Sequence, residues 1–186
     1  MNALVKVKEQ AGLAAIQDQQ QYLTFMLGGE VFAIGILAIK EIIEYGNLTE
    51  VPMMPDYIRG VINLRGSVVP VVDLSARFGR RNTEPNRRTC IVIIEVASDQ
   101  EKQVIGVMVD AVNEVLEIPR DQIEPPPAFG AKIRTDFICG MGKVGSKFVI
   151  ILNVGNVLSI SDLALLEQAN ANAQSMKPAN EATRSD

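Results

Sequence analysis

Short apolar runs separated by turn-forming residues dominate the middle of the chain. Runs of about four to eight apolar or alternating residues, bounded by Gly, Pro, Asn or charged residues, are typical of β-strands. The pattern predicts strands at residues 22–27, 31–36, 68–74, 90–96, 104–109 and 148–154. Two further segments, residues 38–44 and 111–117, have spacing that a helix could also use. Because both are rich in β-branched Ile and Val and follow directly on a strand, we predict strands there as well.

The two ends of the chain differ from this pattern in composition. Residues 1–20 are rich in Gln and Ala, and residues 169–186 consist mainly of Ala, Asn, Ser and Lys. Since neither end offers a core much to bury, we expect a flexible N-terminal extension and a disordered tail around a domain at residues 21–168. A short helix is predicted at about residues 162–169, because Ser161 can cap it and several leucines supply an apolar face.

The chain also contains an internal repeat. Residues 32–44 align with residues 105–117, and after a shift in spacing residues 57–61 and 69–74 align with residues 137–141 and 149–154. The change in spacing lies in a Pro-rich stretch before Phe137, where a loop can lengthen at little cost. Each copy is too small to be stable comfortably alone. The repeat therefore predicts an all-β fold of two small five-stranded units that share a hydrophobic core.

In this prediction the first unit consists mainly of residues 28–80 and the second mainly of residues 89–156. The most distinctive segment, residues 57–74, reads YIRGVINLRGSVVPVVDL and belongs to the first copy. Its Asn63 and Gly66 flank a tight turn, and the apolar run that follows returns the chain to the core. Arg65 is thus presented on a rigid hairpin. A planar, permanently charged side chain suits recognition of a partner better than acid–base chemistry.

The repeat separates scaffold positions from candidate recognition positions. Glycines and apolar residues recur in both copies, whereas Arg59 aligns with Cys139 and Arg65 aligns with Gly145. The fold does not require an arginine at either place. We therefore predict that Arg65, and less strongly Arg59, contacts a partner; the alternative is that Arg65 pairs with a nearby carboxylate.

Composition narrows the possible functions. The 186 residues include no His, and 18 Lys and Arg stand against 22 Asp and Glu at a pI near 5.0. The absence of His removes the commonest general base and the His-containing zinc sites. Cys90 and Cys139 lie far apart in apolar sequence, so we expect buried structural thiols. No run is long enough for a membrane span or a secretory signal, which predicts a cytoplasmic protein.

Two other functions remain as alternatives. A carboxylate-based enzyme could use Asp73, Asp110 and Glu41, although no nucleophile with an adjacent base is visible and capping of loop amides explains the aspartates equally well. A nucleic-acid binder could use the arginines of one polar segment. They are Arg77, Arg80, Arg81, Arg87 and Arg88. This segment lacks interleaved aromatic residues for base stacking, and the chain has no overall excess of basic residues.

Four stretches of the chain carry a family resemblance: GEVFAIGILAIKEIIE, the signature segment at residues 57–74, VIGVMVDAVNEVLE and FICGMGKVGSKFVIILNV. Together they resemble the CheW family of bacterial chemotaxis coupling proteins. The resemblance spans about residues 21–166, and its NLRG-x-x-x-P-x-x-DL element is selective. It implies two five-stranded SH3-like β-barrels around a shared core, with no catalytic step and no cofactor.

The resemblance further implies that the chain connects chemoreceptor tips to a CheA-type histidine kinase at membrane-associated receptor arrays. An alternative within the family is a coupler for another array, such as one for twitching motility. Carried over by position, the partner-binding residues are Ile39 and Glu41 in the first barrel, Gly60 and Arg65 near the signature turn, and Ile91 and Val115 in the second barrel. Weaker candidates are Arg59, Asn63 and Leu64.

Overall fold

The computed structural model describes residues 19–98, 101–126 and 135–158, and most of these residues lie in β-strands. The strands are β1 (Gln19–Leu27), β2 (Glu30–Gly35), β3 (Ile39–Glu44), β4 (Ile58–Leu64), β5 (Ser67–Asp73), β6 (Cys90–Ser98), β7 (Glu101–Val109), β8 (Ala111–Pro119), β9 (Ile123–Glu124), β10 (Ile138–Val144) and β11 (Lys147–Leu152). Single-turn helices follow two of them, α1 (Leu74–Arg77) after β5 and α2 (Val154–Val157) after β11. The all-β prediction is confirmed.

Short 3-10 helices occupy Ile36–Ala38, Arg120–Gln122 and Thr135–Phe137. Each of the eight runs predicted as strands contains a β-strand in the structure. This includes the two segments whose spacing was also compatible with a helix. Sequence reasoning missed β4 and β10 as strands, because glycines interrupt the apolar pattern of both, and it also missed the two-residue β9. The predicted N-terminal extension, C-terminal helix and tail lie outside the described residues.

The strands form two sheets whose orders match the repeat. The six-stranded sheet has the order β8-β1-β2-β11-β10-β9, and the five-stranded sheet has the order β3-β6-β7-β5-β4. In the repeat, β2, β3, β4 and β5 correspond to β7, β8, β10 and β11. With β1 matched to β6, the two orders are the same apart from the extra two-residue β9. The duplication is therefore visible in the topology as well as in the sequence.

The two copies exchange their first two strands. Hairpin β1–β2 pairs with β8 and β11 from the second copy, and hairpin β6–β7 pairs with β3 and β5 from the first. This corrects the predicted barrel boundaries. Strands β6 and β7 lie in one sheet with β3, β4 and β5 of the first copy, and β2 lies in the other sheet with β8, β10 and β11 of the second copy. Because pairing between distant strands has no local sequence signal, aligned copies alone could not reveal the exchange.

Three clusters of buried side chains hold the sheets together. The largest combines residues of both sheets, among them Phe25 and Phe32 from the six-stranded sheet and Val92 and Ile94 from the five-stranded sheet. The prediction of a shared core is thus confirmed. Each sheet also curls around a cluster of its own, and we call the two units the five-stranded barrel and the six-stranded barrel.

Strand β5 ends at Asp73, whose fully buried carboxylate begins α1. Its Oδ1 accepts hydrogen bonds from the amides of Ser75 and Ala76 at 3.1 and 3.4 Å. Thr83 donates its amide to Oδ2 at 2.7 Å and its hydroxyl to Oδ1 at 3.0 Å. The carboxylate therefore fastens the loop after α1 to the end of the strand, which is why the strand does not continue to Leu74 as predicted.

Gly60 permits a bulge in β4 beside a neighbouring loop. Its φ is +146°, and a Cβ at this position would lie 2.2 Å from the backbone oxygen of Thr49. The equivalent Gly140 also lies at a bulge, where a Cβ would come within 2.5 Å of the side chain of Ile123. Both copies therefore need a residue without a side chain at this point.

We expect Gly60→Ala to lower the free energy of unfolding by about 2–3 kcal/mol, because the new methyl group meets backbone that cannot move aside freely. Chemical denaturation monitored by circular dichroism measures this change. Gly35→Ala is the control, since nothing lies within 4 Å of a Cβ there. An equal, small effect of both substitutions would contradict the close approach at Thr49.

Candidate partner-binding site

The signature turn joins β4 to β5 through a two-residue loop between Leu64 and Ser67. Arg65 and Gly66 both have positive φ values, 51° and 86°, as a type I′ hairpin turn requires. The side-chain Oδ1 of Asn63 accepts a hydrogen bond from the amide of Gly66 at 2.9 Å. The turn therefore holds the backbone of Arg65 in a defined position at the end of the hairpin.

The side chain of Arg65 reaches across the seam where the five-stranded barrel closes. Its Nη2 lies 3.1 Å from Oε2 of Glu41, so the pair links the turn after edge strand β4 to edge strand β3. The Arg65 side chain nevertheless remains 80% exposed. An exposed ion pair of this kind stabilises a fold by about 0.2–1 kcal/mol at most. The pairing with a nearby carboxylate that the sequence left as the alternative is present, and the guanidinium still faces solvent.

A shallow depression lies next to this seam. It has a volume of about 450 Å³ and is lined by Ile43, Glu44, Tyr45, Gly46, Asn47, Ile62 and Asn63. Asn63, which braces the signature turn, thus also lines the depression, while Ile62 belongs to the inner cluster of the barrel. The surface around Arg65 combines one ion pair with a partly apolar recess.

Four of the six exposed large apolar side chains among the described residues lie at equivalent positions of the repeat, whereas Leu37 and Met53 do not. Val115 on β8 is 47% exposed, and Ile42, its counterpart on β3, is 43% exposed. Val68 and Phe148, which correspond in the same way, are also exposed beside the two hairpin turns. Sequence reasoning selected Val115 and missed the other three, although exposed apolar residues at equivalent positions could have been sought in the aligned copies. Each barrel therefore presents apolar side chains at matching places.

Two of the predicted contact residues, Ile91 and Gly60, are buried in the scaffold, and a third, Arg59, is half-buried. Ile91 has no exposed surface and lies in the inner cluster of the five-stranded barrel, so both its predicted contact role and its assignment to the second barrel are corrected. Gly60 is buried against Thr49. Arg59 is half-buried, with its Nη2 donating to the backbone oxygen of Thr83 at 3.4 Å.

Two further candidates occupy intermediate positions. Ile39 is half-buried and packs against the shared core, and Leu64 is half-buried against the inner cluster of the five-stranded barrel. Asn63 and Arg65 are exposed near the seam, and Glu41 beside them is half-buried, with 26% of its side chain exposed. Val115 lies apart from them on the other barrel.

The carboxylates proposed for an enzyme hold loops in place. Asp110 accepts a hydrogen bond from the amide of Gly28 at 2.7 Å, and its other oxygen lies 3.2 Å from the Thr83 hydroxyl that also contacts Asp73. Glu41 lies elsewhere, paired with Arg65. Amide capping, the alternative that the sequence left open for the aspartates, is what the structure contains.

The prediction that both cysteines are buried structural thiols is wrong. Cys90 is half-buried and Cys139 is exposed at the bulge of β10. Although Cys139 is exposed as a residue, partial burial of its thiol raises the pKa above its usual value. A raised pKa disfavours the thiolate at neutral pH and with it nucleophilic chemistry.

Known proteins similar to this chain agree on one family. A family model described as the CheW-like domain matches residues 21–162. The chemotaxis protein CheW of Klebsiella aerogenes is 32% identical over 163 residues, which cover 84% of this chain and 96% of that protein. Protein FrzA of Myxococcus xanthus is 30% identical over 122 residues, covering 66% of this chain and 74% of the relative.

A solved structure matches at the level of the fold. The scaffolding protein TtCheW from Thermoanaerobacter tengcongensis superposes with a TM-score of 0.69 at 33% identity, covering 77% of this chain and 90% of that chain. Among the described residues of the present chain, no helix is long and apolar enough to cross a membrane. With the family model spanning most of its length and a relative matched almost from end to end, the chain belongs to the CheW family of chemotaxis coupling adaptors.

Proposed function

We propose that this chain couples the cytoplasmic tips of chemoreceptors to a CheA-type histidine kinase, acting in the cytoplasm and recruited to membrane-associated arrays. The observation that carries the proposal is Arg65. In a duplicated fold whose second copy has Gly145 at the same turn, the first copy keeps an arginine that is 80% exposed although its backbone has a positive φ. A charged side chain retained where glycine would be the unstrained choice indicates selection for contact with a partner.

Arg65 and Glu41 form the polar part of the proposed contact surface. Their charges give orientation to a partner and disfavour wrong ones, since complementary charge governs specificity and encounter rate more than raw affinity. Asn63 and the adjacent depression supply the remainder of this surface on the five-stranded barrel. Contact of this mixed character suits a complex that must assemble reversibly.

Apolar contact comes from Ile42 and Val115, one on each barrel. An amphipathic helical hairpin such as a receptor tip binds through apolar side chains on one face. Two matching apolar points on different barrels allow two partners to be held at once, which is what a coupling protein requires. The role involves no catalytic step, in keeping with hydrogen-bonded loop anchoring by Asp73 and Asp110.

Chemotaxis is better supported than another receptor array as the pathway served. The relative from Klebsiella aerogenes, named for chemotaxis, covers 84% of this chain, whereas FrzA covers 66%. The similarity to FrzA is the observation that favours the second candidate function, a coupling protein of another receptor array. A partner screen with kinase and receptor pairs from both kinds of array separates the two pathways.

Co-sedimentation of the purified chain with receptor signalling fragments and a kinase regulatory domain tests the proposal. We expect all three to sediment together, with Val115→Ala weakening assembly while leaving the thermal midpoint nearly unchanged. Ile91→Val is the matched control: it should cost about 0.5–1.5 kcal/mol of stability and leave assembly intact below the melting range. Failure of the wild-type chain to bind either partner at micromolar concentration would refute the coupling role.

A further inference from the structure

The arginines between residues 77 and 88 divide into two groups in the structure. Arg81, Arg87 and Arg88 are exposed, as expected for a solvated loop. Arg77 and Arg80 are half-buried and contact residues of the other barrel or next to it. The nucleic-acid alternative treated all five as one basic surface, so the loss of these two weakens it. Their contacts point to a role within the chain.

Arg77 joins the ends of the two copies. Its guanidinium lies 5.2 Å from the ring centre of Tyr57, which precedes β4, and 4.8 Å from that of Phe137, which precedes β10. Its Nε donates a hydrogen bond to the backbone oxygen of Val157 in α2 at 3.0 Å. One planar side chain thus contacts one aromatic residue of the five-stranded barrel and two residues next to the six-stranded barrel.

Arg80 makes a second connection, to the turn between β1 and β2. Its Nη2 lies 2.8 Å from Oε2 of Glu30, and its Nη1 donates to the backbone oxygen of Leu27 at 3.4 Å. The guanidinium also lies over the ring of Phe32, 5.9 Å from its centre. All three partners belong to the six-stranded barrel. The ion pair is partly shielded, because only 22% of the Arg80 side chain is exposed.

Phe78 fills the space between these two connections. Its ring centre lies 5.8 Å from that of Phe32 and 6.1 Å from that of Phe137, so aromatic packing runs continuously along the junction. The base of the segment is fixed to the five-stranded barrel by Asp73, which binds both the start of α1 and Thr83. We call residues 73–83 the bracing segment, since one end belongs to one barrel and its long side chains grip the other.

The bracing segment is specific to the first copy. At the equivalent positions of the second copy, Arg77 is replaced by Val157 and Arg80 by Ile160. The duplicated fold therefore does not need arginines after the helical turn. Arg77 and Arg80 thus differ between the copies and also reach beyond their own barrel.

We propose that Arg77 and Arg80 are positioning residues that set the relative orientation of the two barrels and hence the separation of the partner surfaces on them. The inference rests on the proposed function, because it assigns the orientation a role in coupling two partners. An arginine can stack on two rings and donate a directed hydrogen bond at once, whereas lysine offers only a point charge on a flexible stem. Loss of these contacts should leave each surface intact but change how the two are held.

The distance between the barrels can be measured without any partner. In full-length chain carrying Cys90→Ser, spin labels on native Cys139 of the six-stranded barrel and on Lys102→Cys of the five-stranded barrel report the separation by pulsed electron resonance. We expect a narrow distance distribution that broadens clearly in the Arg77→Met/Arg80→Met double variant. Arg87→Met is the control, because it removes the same charge from an exposed site in the same region. Equal distributions for the double variant and this control would overturn the proposal.

The binding test then separates positioning from contact. The double variant should bind a kinase domain or a receptor fragment singly within about twofold of Arg87→Met, but form the ternary complex at least tenfold less well. Should the double variant prove unstable, the milder Arg77→Lys replaces it and must still broaden the distribution. If the wild-type chain bound no partner, the proposed function would fail. The distance measurement would still show whether Arg77 and Arg80 set the relative orientation of the barrels. Unchanged ternary assembly alongside a broadened distribution would refute the coupling role of the orientation.

Discussion

Asp73→Ala is expected to lower the free energy of unfolding by about 3 kcal/mol, because it leaves several buried donors without an acceptor. The carboxylate is fully buried and accepts four hydrogen bonds, two from amides at the start of α1 and two from Thr83. Hydrogen bonds to a charged group contribute about 1.5–3 kcal/mol each, more than neutral ones. The loss should appear as a lower denaturation midpoint with an unchanged slope.

The repeat supplies a matched control for this substitution. Asn153 occupies the equivalent position before α2, and its side chain accepts a hydrogen bond from the amide of Asn156 at 3.2 Å. Asn153→Ala should therefore cost only about 1 kcal/mol, the usual value for an N-cap. Similar losses for the two variants would show that Thr83 and the bracing segment contribute little. Asp73→Asn, which keeps one acceptor oxygen, should fall between them.

Arg65→Gly should weaken assembly with the kinase regulatory domain at least tenfold while leaving stability within about 1 kcal/mol of the parent chain. Glycine adopts the positive φ of this turn without strain, which offsets the loss of the exposed pair with Glu41. Binding measured by calorimetry and unfolding measured on the same preparation separate the two effects. A marked loss of stability with unchanged affinity would make Arg65 a structural residue.

The companion substitution Glu41→Gln distinguishes two ways in which Arg65 could act. If the guanidinium contacts the partner directly, Glu41→Gln should retain most of the affinity, since the arginine stays in place. If the ion pair acts as a unit, both variants should lose affinity to the same extent and the double variant should lose no more. A double-mutant cycle gives the coupling between the two side chains directly.

The repeat carried most of what could be predicted about the fold. Short apolar or alternating runs and β-branched residues predicted eight strands correctly, and the aligned copies indicated two similar units on a shared core. The helical turns after Asp73 and Asn153 were not predicted, because the apolar pattern of the preceding strand continues into both turns. The available signal was the polar residue inside each run, Asp73 or Asn153. Whether such a residue caps a helical turn depends on hydrogen-bond donors in loops elsewhere in the chain.

The candidate site was predictable only in part. Arg65 was identifiable because it breaks the similarity between the copies, and its backbone conformation follows from the turn sequence around it. Ile91 was carried over by position from the family resemblance, and the sequence could not correct it, because a β-strand residue in an apolar run has the same pattern whether its face points to a barrel interior or to a partner. Ile42, Val68 and Phe148 were overlooked for the same reason, since exposure is a property of the assembled sheet.

The fold class, the duplication and the arginine that distinguishes the first copy can be read from the residues alone, because they follow from short apolar runs and from comparison of the copies. The pairing of the strands, the contact between Glu41 and Arg65 across the barrel seam, and the contacts of Arg77 and Arg80 with the opposite barrel became visible in the folded chain. These outcomes depend on contacts between residues far apart along the chain. The exchange of the first two strands between the copies brings those residues together. Local sequence patterns contain no information about this exchange.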